Sequence, residues 1–135
     1  MTVLLIDCHV LPSSMGFKRV LIANRGEIAL RILRTLRDMG IEAAIIHGKE
    51  DRLSLPVMMS DIAYPNYKPN PLDSYLDIES VVNAAKELQC DAVHPGYGFL
   101  AENAKFVQRL TEEGITVIGP SADAVSYTHL RAHET

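Results

Sequence analysis

Short apolar runs alternate along this chain with longer stretches in which apolar residues return every three or four positions. Residues 18–23 (Lys-Arg-Val-Leu-Ile-Ala) form a run of the kind found in strands covered on both faces. Asn24 follows, with Glu27 three residues on, which reads as a variant capping box. Ile28, Ala29, Ile32, Leu33 and Leu36 then recur at helical spacing, and Gly40 stands where a helix C′ residue belongs. Residues 41–46 predict a second strand, so this stretch reads as a βαβ unit.

Residues 47–72 carry Pro56, Pro65, Pro69 and Pro71 and read as irregular, with a brief strand at 62–64. Asp77 is suited to cap a helix whose apolar face is Ile78, Val81, Val82, Ala85 and Leu88. A turn at Gln89-Cys90 leads into a strand at 91–93 and the His94-Pro95-Gly96 turn. A third helix is expected over 102–113, ended by Gly114, and a last strand over 115–118, closed by Gly119-Pro120. This alternation predicts an α/β fold: an open parallel sheet with helices on both faces. There is no internal repeat and no low-complexity tract.

Composition narrows the function. A chain of 135 residues, 47% hydrophobic and 22% charged, suits one globular domain. The net charge of −4 argues against nucleic acid or an anionic membrane as partner. The five histidines make no H-x-x-x-H or H-E-x-x-H pair, so no metal site is expected. Cys8 and Cys90 stand far apart outside any Cys-x-x-Cys spacing, which suggests reduced thiols and a cytoplasmic location. No apolar run approaches the roughly 20 residues of a membrane span. The apolar start, residues 1–11, lacks a basic n-region, contains Asp7 and lacks a small-residue cleavage site, so it does not read as a signal peptide.

Three blocks carry a family resemblance. They are Lys18-Arg19-Val20-Leu21-Ile22-Ala23-Asn24-Arg25-Gly26-Glu27-Ile28-Ala29, then His94-Pro95-Gly96-Tyr97-Gly98-Phe99-Leu100-Ala101-Glu102-Asn103, then Ile118-Gly119-Pro120. In order and spacing they resemble the opening of the biotin carboxylases, with one Ser/Ala difference in the second block. The resemblance implies a Rossmann-like "pre-ATP-grasp" domain over residues 17–125. It implies a parent ligase that activates bicarbonate with MgATP and carboxylates biotin on a carrier, as in acetyl-CoA, propionyl-CoA or pyruvate carboxylase. The implied partners are a second copy in a homodimer, a biotin carrier and a carboxyltransferase. The family's phosphate lid, ATP-binding lysines, magnesium-binding glutamates and catalytic residues lie downstream of these blocks. No catalytic residue and no bound cofactor is therefore expected in this chain, and it is expected to be inactive alone. Its uncovered domain-facing surface is expected to promote self-association.

The chain departs from the pattern in three places. Where the family often has His-Val-x-x-Ala-Asp, it reads Pro56-Val57-Met58-Met59-Ser60-Asp61. Beyond residue 125 it does not continue into the family's Met-Gly-Asp-Lys, and residues 126–135 read as a non-native tail. Residues 1–16 have no family counterpart and read as a leader from a misplaced start, Met15 being a natural alternative. Two rival readings stand beside it: a stand-alone Rossmann-like module for a small ligand, which requires the tail to be native and to finish the sheet, and a non-catalytic subunit that binds a separately encoded ATP-grasp chain.

Tyr97 and Gly98 are the ligand-contact candidates: a phenol and an approachable backbone at the carboxyl end of a strand. The resemblance implies that they border the biotin ring; the alternative is a tyrosine packed on the next domain. Glu27, Arg31, Arg34 and Asp38 form one stripe, with favourable i,i+4 pairs at 27/31 and 34/38. The resemblance implies that Arg31, Arg34 and Asp38 belong to the dimer contact; otherwise they form a solvated face. Asn24-Arg25-Gly26-Glu27 is not G-x-G-x-x-G, which argues against a dinucleotide. Arg25 at a helix start opposes the helix dipole, so a carboxylate or a domain partner should hold it. His94 reads as a turn residue bonded to backbone, and Cys90 as a small buried hydrophobe.

Overall fold

The structure is a computed structural model that describes residues 16–119. The tail at 126–135, and all of the leader except residue 16, lie outside the described residues. The sheet has five parallel strands in the order β3-β2-β1-β4-β5. They are β1 (Arg19–Ile22), β2 (Glu42–His47), β3 (Ile62–Pro65), β4 (Ala92–His94) and β5 (Thr116–Val117). The main helices are α1 (Gly26–Asp38), α4 (Ile78–Glu87) and α5 (Ala104–Glu112); two short ones, α2 (Leu55–Met59) and α3 (Asp73–Leu76), lie between β2 and α4.

The strands alternate between two separate cores. Val20, Ile22, Ala43, Ile45 and Ala92 pack on Ala29, Leu33 and Leu36 of α1. Leu21, Ala23, Ala44, Ile46 and Val93 pack on the other face, against Val81 and Ala85 of α4 and Phe106 and Leu110 of α5. Period-two geometry sends neighbouring residues to opposite faces, so a strand buried on both sides must be apolar throughout. The expected α/β architecture with helices on both faces is what forms.

Three helices end in the same way. After α1, Gly40 N–H donates to the Arg37 carbonyl and Ile41 N–H to that of Leu36. Gln89 and Cys90 repeat this after α4, and Gly114 and Ile115 after α5. These are Schellman turns, and each buries its next residue (Ile41, Cys90, Ile115) in the adjoining core. Gln89 does so at φ +55°, without being glycine.

Three expectations fail locally. Residues 47–72 are not simply irregular. They hold a 3₁₀ turn (Lys49–Asp51), α2 with Pro56 in its first turn, and the expected strand as β3, and α3 follows directly after them. Proline in a helix's first turn loses no intrahelical bond, so Pro56 starts a helix. The capping box is also absent. Arg25 occupies the N-cap of α1 without a side-chain cap bond. The α5 helix begins at Ala104, two residues later than expected, because Asn103 caps it by accepting from the Phe106 N–H at 3.0 Å. Asp77 caps α4 as expected.

Candidate functional site

From β1 the chain steps outward to β2 and β3, then returns across β1 to form β4. This reversal makes the carboxyl ends of β1 and β4 the topological switch point, the crevice position at which open α/β sheets bind ligands. Asn24 and Arg25 enter it after β1; residues 95–99 enter it after β4.

Asn24 joins the two sides. Its side-chain amide donates to the Pro95 carbonyl at 2.7 Å and to the Tyr97 carbonyl at 2.8 Å. Its side-chain oxygen accepts from the Arg25 N–H at 2.8 Å. Asn24 is 1% exposed, so these bonds replace water. Gly96 passes directly over this contact at φ +68°. A Cβ there would lie 2.6 Å from Ile28 Cγ2 and 3.0 Å from Asn24 Nδ2. Close approach and positive φ both require glycine at 96.

Beyond that clamp, Tyr97 is 70% exposed. Gly98 has nothing within 4 Å of where a Cβ would sit, so its backbone lies open. Phe99 turns inward at φ +43° and meets the Tyr75 ring with centroids 5.2 Å apart. The Tyr75 hydroxyl donates to Asp51 and accepts from the Gly48 N–H at 3.0 Å. Asp51 in turn takes two bonds of 2.7 Å from the Arg25 guanidinium. This is the carboxylate that the dipole argument required beside Arg25.

Electrostatics follow from the pairing. The Arg25 guanidinium holds the Asp51 carboxyl below its usual range, against the opposing effect of burial. Burial, and then the bond to Asp51, push the Tyr75 hydroxyl up, so it stays protonated as a donor. Burial lowers the His94 imidazole. Its Nδ1 accepts the Gly96 N–H at 3.1 Å, which requires the neutral ring, and its backbone carbonyl accepts from Ala23. His94 is the expected backbone-bonded turn residue. Cys90 is buried, and desolvation pushes its thiol up to about 11, so it behaves as a small hydrophobe.

Arg31, Arg34 and Asp38 lie exposed on α1, away from the crevice. The predicted pairs Glu27/Arg31 and Arg34/Asp38 do not form. Long solvated side chains gain only tenths of a kcal/mol from pairing, too little to fix their rotamers. Sequence reasoning missed Asp51 and Tyr75, which lie 26 residues from Arg25 and 24 residues from Asp51 along the chain. The charge on Arg25 at a helix start was the one available signal.

Among the described residues, no three His, Cys, Asp or Glu side chains are grouped so as to hold a metal ion. Also among them, no helix is long and apolar enough to cross a membrane.

Comparison with known proteins places this geometry. The model of the family described as "Biotin carboxylase, N-terminal domain" matches residues 16–125. The chain is 49% identical over 109 residues to biotin carboxylase 1 of Bacillus subtilis, covering 81% of this chain and 24% of that protein. It is 48% identical over 104 residues to the 2-oxoglutarate carboxylase small subunit of Hydrogenobacter thermophilus, covering 77% and 22%. Among solved structures, it superposes with a TM-score of 0.79 on the biotin carboxylase domain dimer of the Hydrogenobacter thermophilus 2-oxoglutarate carboxylase, complexed with MgADP, ADP and bicarbonate. Identity there is 45%, covering 82% of this chain and 24% of that one. The chain thus spans about a quarter of the length of these relatives.

Proposed function

Given that the chain belongs to the family of biotin carboxylase N-terminal domains, we propose that it serves as that domain in a biotin-dependent carboxylase. The whole enzyme is a ligase that activates bicarbonate with MgATP and carboxylates biotin on a carrier. The observation that carries this reading is the exposed Tyr97 on a clamped loop in the crevice between β1 and β4. Tyr97 and the open backbone at Gly98 border the biotin ring. They orient the ring and keep water from its face; they do not react.

The remaining roles are divided by position. The exposed Arg31, Arg34 and Asp38 meet a second copy in a homodimer. The groups that bind ATP and magnesium come from the part of the ligase beyond this domain, as do the contacts to the carrier and the carboxyltransferase. The 135 residues alone are therefore without turnover, because phosphoryl transfer depends on the positioned charges that the other part supplies. Leu53, Leu55 and Met58 near α2 are exposed and are covered in the whole enzyme or drive self-association of this chain. The enzyme works in the cytoplasm.

The test is a chimera in which residues 16–125 replace the matching quarter of the Bacillus subtilis biotin carboxylase 1. Biotin-dependent ATP cleavage by the chimera, and none by the 135-residue chain, is the expected result. A folded chimera without biotin-dependent turnover overturns the proposal.

A further inference from the structure

The loop carrying Tyr97 is held from two directions, and the two holds differ in kind. One hold is apolar: the Phe99 ring rests on Tyr75, whose hydroxyl is bonded to Gly48 and Asp51 in the segment after β2. The other, on the β1 side, is polar and comes from one side chain. Asn24 uses three of the four hydrogen bonds that an amide can make, all to backbone. An asparagine acting as a helix cap would aim its oxygen at N–H groups of the first turn. Asn24 instead directs its whole NH₂ group across the crevice, and one of its two acceptors is the carbonyl of Tyr97 itself. Gly96, Gly98 and Phe99 all take positive φ within four residues, and Phe99 does so at a backbone cost that the two glycines do not carry. Such a segment keeps one conformation only where its surroundings over-determine it.

We infer that Asn24 is the positioning residue for Tyr97. By fixing the Pro95 and Tyr97 carbonyls it sets where the phenol stands at the mouth of the crevice. For its consequence on biotin the inference rests on the proposed function above; the positioning itself is a property of this chain. Loss of the amide frees the loop, weakens the ligand that Tyr97 borders and leaves nucleotide binding unaffected.

The test has two arms. In the 135-residue chain, hydrogen exchange is compared at the Gly96 and Ala101 amides, which bond His94 Nδ1 and the Gly98 carbonyl. Asn24→Ala should speed exchange there on the order of tenfold relative to α1, the factor that one net hydrogen bond supplies. Tyr75→Phe is the control, since it loses the hydroxyl bonded to Asp51 but keeps the ring against Phe99. It should lower overall stability without raising loop exchange relative to α1. Should Asn24→Ala not fold, Asn24→Ser, whose hydroxyl is too short to reach both carbonyls, carries the same expectation. Unchanged loop protection in the folded Asn24 variant, or an equal rise in Tyr75→Phe, overturns the inference.

In the chimera, Asn24→Ala should raise the KM for free biotin by about the same factor, with the KM for ATP unchanged. Equal loss against both substrates would mark a merely structural residue and overturn the inference. A loosened loop with an unmoved biotin KM would keep Asn24 as the positioning residue and sink the placement of biotin beside Tyr97.

Discussion

The Arg25 guanidinium grips the Asp51 carboxylate through two bonds of 2.7 Å, joining the segment after β1 to the 3₁₀ turn after β2. Asp51 is nearly buried while Arg25 is half exposed, so the carboxylate is the group that suffers if the pair is broken. Arg25→Ala should destabilise the chain by about 1–3 kcal/mol, the range for leaving a buried acceptor without its partner. Because the folded Asp51 carboxyl titrates below its ordinary value of 3.8, its contribution is fully present above that pH. It is lost as pH falls through the folded value. Urea midpoints measured from pH 5 down to pH 2 should show this acid limb, and Asp51→Asn should remove it.

Gly96 and Gly98 share a positive φ but differ in what surrounds them. Alanine at 98 meets open space and incurs only the left-handed penalty, about 1–2 kcal/mol. Alanine at 96 must also displace Ile28 and the Asn24 amide, so it should cost more than alanine at 98. Denaturant titration of the two variants gives the difference directly. Equal losses would mean that the contact among residues 24, 28 and 96 is slack.

Gln89 closes the Schellman turn after α4 at φ +55°, where the equivalent positions after α1 and α5 are Gly40 and Gly114. Gln89→Gly removes the Cβ strain there, partly offset by a more flexible unfolded chain. A net stabilisation of roughly 0.5–1 kcal/mol should appear as a higher thermal midpoint. A lower midpoint would show that the glutamine side chain contributes more than its backbone strain removes.

His94 supplies the second pH limb. Burial lowers its pKa below 6.5, so the folded chain favours the neutral ring that accepts from Gly96. Between the folded value and 6.5 the unfolded chain binds more protons, so stability rises with pH there and levels off above 6.5. Urea midpoints at pH 7.5, 6.5 and 5.5 should be level over the first step and fall over the second. His94→Asn should flatten that fall; an unchanged fall would assign it to another group.

The helices and strands were legible because their signals are local. Apolar residues at helical spacing marked α1 and α4, and unbroken apolar runs marked β1 and β2. Tyr97 was legible as an exposed residue because Gly-Tyr-Gly after a strand leaves few alternatives. Asn24 was misread because its side chain had two uses, a nearby N–H or two carbonyls 71 and 73 residues away. Only the arrival of β4 beside β1 decides between them. Pro56 was read as a breaker, although the same ring starts α2 once the chain before it has turned.

By itself the sequence determined that this is a parallel α/β domain, which family it belongs to, and where its glycine turns fall. Each of these follows from residues close together in the chain. Tertiary structure alone decided that Arg25, Asp51, Tyr75 and Phe99 form one connected support for the loop at 95–99. It also decided that the Asn24 amide spans the crevice. Those contacts depend on strand order, and strand order is set by which apolar faces can be buried together.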